Sequence, residues 1–180
     1  MNRREVLLLL AGTAALPDSL MAMGRAVHKR VRAGTLRAFN AHQNETVATI
    51  AELIIPKTDT PGAREAGVPA FIDLFIAEWP DNEDRQRVLA GLGTLDERTR
   101  ALFGKDFISA SVPQQTQIVT ALEAEVARLR DTQGNVWHHF YYPIKRLTLV
   151  GYYTSEVGAT SEQNFRVVPG RFEPCYPLES

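Results

Sequence analysis

The sequence predicts an all-α protein: an irregular bundle of about four to five helices, preceded by an N-terminal export leader and followed by an extended C-terminal tail. Three observations point there. Apolar residues recur at helical spacing through most of residues 44–153, the same stretch carries no convincing β-hairpin signal or internal repeat, and both ends break the pattern. A length of 180 residues suits one domain with extensions, and 44 % hydrophobic with 23 % charged residues is the composition of an ordinary globular chain. The net charge of −1 excludes the strongly basic balance of a nucleic-acid binder.

The charge is unevenly placed. Residues 1–40 hold seven Arg and Lys against Glu5 and Asp18, whereas the remainder holds thirteen against nineteen acidic residues, so a basic leader precedes an acidic body. Within that leader, Arg3 and Arg4 come just before the apolar run Val6 to Leu16, which Pro17-Asp18-Ser19 ends. Such a run is too short for a hydrocarbon core of roughly 30 Å, which needs about 20 helical residues. A charged start and a short apolar centre are the form of a signal peptide. Asn2-Arg3-Arg4-Glu5-Val6-Leu7 resembles the twin-arginine (Tat) signal, with Asn2 and Val6 in place of the usual Ser or Thr and Phe. The Tat translocon is therefore an expected partner. That route carries folded cargo, which implies a cofactor inserted before export, in this chain or in a protein bound to it.

After a basic, mobile-looking stretch from Gly24 to Ala41, Asn44 and Glu45 read as the start of a helix whose Val47, Ile50, Ala51 and Ile54 share a face, with Pro56 ending it. Thr58-Asp59-Thr60-Pro61-Gly62 is turn chemistry, and Pro69 suits the first turn of a second helix carrying Phe71, Ile72, Phe75, Ile76 and Trp79. Asp81 or Asn82 caps a third, lined by Val88, Leu89, Leu92, Leu95, Leu102 and Phe103, in which Gly91 and Gly93 permit close packing. Ser111 precedes a fourth, with Ile118, Val119, Leu122, Val126 and Leu129 inside and Glu123, Glu125, Arg128 and Arg130 on a solvated face. In the aromatic-rich segment 136–153, Trp137, Phe140, Tyr141, Ile144, Leu147, Thr148 and Gly151 share a helical face, which Pro143 must either kink or restart. From Ala159 to Ser180, Pro169, Gly170, Pro174 and Pro177 forbid a regular helix. An extended tail with this many apolar groups recovers its ordering entropy only against its own body or a partner. The organisation is thus a Tat-type signal and basic linker over 1–40, a helical domain over 41–158 and an extended partner-binding tail over 159–180.

Site chemistry is excluded motif by motif. The single cysteine, Cys175, forms no internal disulfide and no Cys-based metal site by itself, and reads as an inert thiol. His28 and His42 lie in or near the leader, and the adjacent His138 and His139 point about 100° apart on a helix. No Glu-x-x-His pair for a di-iron bundle occurs, nor any GxGxxG, GxxxxGK[ST] or GxSxG. The expectation is therefore no catalytic, cofactor-binding or metal-binding residue in this chain.

Two strings together carry a family resemblance. One is Glu45-Thr46-Val47-Ala48-Thr49-Ile50-Ala51-Glu52-Leu53-Ile54-Ile55-Pro56 with Thr58-Asp59-Thr60-Pro61-Gly62-Ala63 and Gly67-Val68-Pro69. The other is Leu147-Thr148 with Tyr152-Tyr153-Thr154-Ser155-Glu156-Val157-Gly158. Over roughly residues 44–160 and the leader, the chain resembles the gluconate 2-dehydrogenase subunit 3 family. The resemblance implies a small, cofactor-free, helical partner of a large FAD-containing dehydrogenase of the glucose–methanol–choline group. That partner oxidises a sugar, glycoside or sugar acid and passes electrons to a c-type cytochrome or another acceptor. The small subunit's Tat signal carries the folded, flavin-loaded large subunit to the periplasm, and the small subunit supports its folding. No catalytic residue is carried over. Tyr152, Tyr153, Phe165, Phe172 and Tyr176 are the aromatics expected to anchor the partner, with core packing the other reading of Tyr152 and Tyr153. Two alternatives stand beside this one: a free-standing periplasmic helical ligand-binding protein, and an enzyme using His138 or Tyr141.

Overall fold

The computed structural model describes residues 35–162 apart from positions 79 and 133, and among them the chain is helical, with no strand. Arg3 and Arg4 of the expected export signal, the tail aromatics Phe165, Phe172 and Tyr176, and Cys175 lie outside the described residues.

Helix α1 spans Ala41–Ile54. Its cap is Asn40, four residues before the expected Asn44. The Asn40 Oδ1 accepts from the Gln43 amide at 2.8 Å, and the Gln43 Oε1 accepts from the Asn40 amide at 3.0 Å. This reciprocal box satisfies two amides at once, which Asn44 with Glu45 would not. The residues just before it are held rather than mobile: the amides of Arg37, Ala38 and Phe39 donate to the Asp73 carboxylate at 2.8, 3.0 and 2.9 Å. Asp73 is buried on helix α2, Val68–Glu78, and three charge-assisted hydrogen bonds compensate for burying its charge.

Asp81 caps helix α3, Asn82–Phe103, by accepting from the Asp84 amide at 2.8 Å, as the sequence suggests. The corner between α2 and α3 is tied by Arg85, whose guanidinium donates to the carbonyls of Ile76 at 2.9 Å and Ala77 at 2.6 Å. A cation at carbonyls that a helix end leaves unpaired is favourable on both hydrogen-bonding and dipole grounds. Gly104 ends α3, a 3₁₀ turn follows at Phe107–Ser109, and helix α4, Val112–Asp131, opens on a Ser111–Gln114 box. A second 3₁₀ turn, Val136–His138, precedes helix α5, Tyr141–Tyr153, so Pro143 starts a new helix inside its first turn instead of kinking an old one. A short π-helical turn, Gly158–Glu162, ends the described chain.

Helix α5 is the centre of the bundle and packs most broadly on α2, then on α1, with α4 on another side. One contiguous apolar core runs through all five helices, from Val47 and Ile50 through Ile72, Leu92 and Ile118 to Tyr141, Ile144 and Tyr152. At its edge, Asp96 on α3 joins three elements. One oxygen accepts from the Phe107 amide at 2.9 Å and the other lies 2.6 Å from His42 Nε2. His42, expected beside the leader, is therefore part of α1 and of the bundle.

Candidate functional site

The two strings that carry the resemblance meet in space. Glu52, near the end of α1, turns its carboxylate toward the following loop and accepts from the Lys57 amide at 3.1 Å and the Arg64 amide at 2.9 Å. The Ala63 amide donates to the Ile55 carbonyl at 3.0 Å, closing the loop between them. Gly62 lies against the Glu52 carboxylate so closely that a Cβ there would collide with it. From the other string, the Tyr152 hydroxyl donates to the Pro61 carbonyl at 2.9 Å, across 91 positions of sequence. A loop of turn residues is thus fixed at both ends and at its middle by side chains from two helices. Pro56, Lys57, Thr58 and Asp59 face solvent on it.

The acidic side of α4 is not merely solvated. Glu123 accepts from the Tyr141 hydroxyl at 2.5 Å and from Lys145 at 2.6 Å, joining α4 to α5. Glu125 accepts from Arg98 on α3 at 2.6 Å and lies 3.2 Å from His139 Nε2. Burial works to raise both carboxyl pKa values, but the donors outweigh it and hold them below the usual range: Lys145 and Tyr141 for Glu123, Arg98 and His139 for Glu125. Burial first, and then the Glu123 carboxylate, push the Tyr141 phenol far above its ordinary value. Tyr141 is therefore a fixed hydrogen-bond donor inside the bundle. His139 is stacked on Phe140 with centroids 5.4 Å apart, and His138 Nε2 lies 3.1 Å from Asn135 Nδ2.

The aromatics expected to reach a partner divide. Tyr152 is buried, with its hydroxyl on Pro61, so its ring packs in the chain's own core, the second of the two readings that the sequence leaves open. Tyr153 is 43 % exposed and meets the Tyr152 ring edge-on at 5.5 Å. The missed residue is Trp137, which helical spacing from α5 places on the inner face. The chain leaves the α5 register at the 3₁₀ turn, and Trp137 is 50 % exposed. It forms one lip of a cleft of about 280 Å³ between α2, α3 and the start of α5, with Phe75, Val88, Phe140 and Leu147 among its walls. Gly91 makes the floor possible, because the Phe140 ring lies where a Cβ would project; close packing at this glycine agrees with the sequence reading, whereas Gly93 has open space around it.

A sequence model of one family, described as Gluconate 2-dehydrogenase subunit 3, matches residues 41–170, well over half of the chain. The chain belongs to that family. The match begins on the first residue of α1 and includes both strings, so the loop held by Glu52 and Tyr152 is a feature of the family's helical domain in this chain. Membership makes it a dehydrogenase-subunit homologue and associates it with a gluconate dehydrogenase complex. No curated protein and no solved structure matches the chain. Among the described residues, no group of three or more His, Cys, Asp or Glu could hold a metal ion, and no helix is long and apolar enough to cross a membrane.

Proposed function

We propose that this chain is the non-catalytic small subunit of a periplasmic FAD-dependent sugar or glycoside dehydrogenase, carrying its folded large partner through the Tat pathway and stabilising it. The observation that carries the reading is the family match across residues 41–170. The paired Arg3 and Arg4 before a short apolar run support the export role, and the half-exposed aromatics around α5 support a bound partner. In this reading the flavin, the sugar pocket and the hydride chemistry belong to the large subunit, which passes electrons to a c-type cytochrome. This chain's residues provide the address, the docking surface and a rigid helical body.

Co-expression with a large flavoprotein subunit encoded beside it, followed by pull-down and an absorbance scan, tests the assignment. The expected result is a yellow complex in the periplasm, with the large chain retained in the cytoplasm when Arg3→Lys and Arg4→Lys are combined. A colourless, monodisperse single chain that binds no flavoprotein would overturn it and favour a free-standing binding protein using the apolar cleft.

A further inference from the structure

We propose that the cleft lipped by Trp137 is where the large subunit docks, and that it receives an apolar side chain flanked by a carboxylate; this rests on the accessory-subunit reading above. Trp137 is half exposed, yet its backbone is tied down and its ring has two neighbours. Its amide donates to Asn135 Oδ1 at 3.1 Å, Tyr142 meets its ring edge-on at 4.9 Å, and the Arg146 guanidinium lies 4.9 Å from its centroid. A side chain already held in one conformation loses little entropy when covered, which is the condition for an efficient anchor. Trp, Tyr and Arg are also the residue types that dominate interface hot spots, and here Trp137 touches both Tyr142 and Arg146.

The cleft's size and charge define the occupant. At about 280 Å³ the cleft stands at the lower edge of the roughly 300–1,000 Å³ of small-molecule sites and has room for one large side chain inserted from a partner surface. Its walls are apolar. Its charged lining residues are Asp84, Arg87 and Arg146: Asp84 and Glu83 engage Arg87, whereas Arg146 has a ring beneath it and makes no ion pair with any described residue. Arg37, Arg64, Arg98 and Arg100 each have a carboxylate partner, and the exposed Arg128 and Arg130, which have none among the described residues, lie in the last turn of α4 away from the cleft lining. An exposed guanidinium with no carboxylate from the described residues against it can pair with an anion supplied by a partner. Leu149, Val150 and Tyr153 extend the same side of α5 at helical spacing from Arg146, and each is exposed. The exposed surface therefore continues from the cleft along the outer side of α5 as far as Tyr153.

The test measures the dissociation constant between the full chain and the flavin-loaded large subunit for wild type, Trp137→Ala, Arg146→Glu, and the controls Leu102→Ala and Val112→Ala. The control residues are apolar and exposed on α3 and α4. Expected are a loss of about 30-fold or more for Trp137→Ala, as for a hot-spot residue, and about tenfold for Arg146→Glu. Binding by both controls should stay near wild type, with thermal melts of all four variants close to wild type. Wild-type binding that Trp137→Ala and Arg146→Glu leave unchanged would overturn the docking site while the subunit assignment survives. Absence of wild-type binding overturns both. Self-association abolished by Trp137→Ala, with large-subunit binding intact, would assign the cleft to a second copy and overturn the proposal.

Discussion

The two faces of α5 have similar composition and opposite fates. Inward, Tyr141, Ile144, Leu147, Thr148 and Tyr152 are buried, and each phenol has a partner within the chain: Glu123 for Tyr141 and the Pro61 carbonyl for Tyr152. Outward, Arg146, Leu149, Val150 and Tyr153 are exposed, and Trp137 with Tyr142 and Arg146 makes contacts mainly among these neighbours. Aromatic content does not distinguish the faces. What does is whether the polar end of each ring has somewhere to go inside the bundle, because a buried hydroxyl without a partner costs more than the hydrogen bond it would form.

The sharpest way to break this comparison is at neighbouring tyrosines. Tyr152→Ala removes a fully buried ring and the bond that holds Pro61, and should cost about 3–5 kcal/mol in a urea melt. Tyr153→Ala, one residue on, removes an exposed ring and should stay within about 0.5 kcal/mol. Equal losses at the two positions would show that the outer ring is part of the core.

A second test addresses the boundary between the faces. Gly91→Leu places a side chain where Phe140 now sits, so Phe140 must leave and the cleft wall with it. Overpacking of this kind costs about 1–3 kcal/mol. The melting temperature should fall, and Phe140→Ala in the same chain should recover part of the loss by making room. A loss that the second substitution does not relieve would place the strain elsewhere.

Much of this was legible from local pattern. All five helices, the Asp81 and Ser111 caps and the stop after Ile54 follow from spacing and capping chemistry within a few residues. The misses share one physical character. Asp73 holding Arg37–Phe39, Asp96 holding Phe107 near His42, and Glu123 and Glu125 drawn into interhelical bonds all depend on partners that only the tertiary fold brings close. A charged residue on an amphipathic helix has the same sequence signature whether its donor is water or a neighbouring helix. Asn40 lost to Asn44 because both residues suit a cap, and only the reciprocal bond with Gln43 decides between them. A single helical phase puts Trp137 on one face with Tyr141 and Ile144, and the 3₁₀ turn between them resets that phase. At the site, the loop strings identified the family correctly, whereas the choice among aromatics required knowing which hydroxyls found acceptors within the chain.

The smallest expected effect concerns acid. Glu123 and Glu125 have folded-state pKa values held below the ordinary carboxylate range, despite burial that pushes the other way. When the folded state binds its proton less readily than the unfolded one, the linkage contributes stability above the unfolded pKa of 4.5 and loses it as pH falls through the lower folded value. Stability should therefore be level around neutrality and decline on the acid side of 4.5. Both carboxylates are partly exposed and screened, so each contributes a modest part of that decline. Glu123→Gln keeps an acceptor for Tyr141 and removes the titrating charge. Urea midpoints of wild type and Glu123→Gln, measured between pH 7 and pH 3, should differ most at pH 7 and converge toward the acid end. Midpoint curves that run parallel across the range would mean that Glu123 titrates alike in both states, and that the inner face of α5 is tied to α4 by shape rather than by charge.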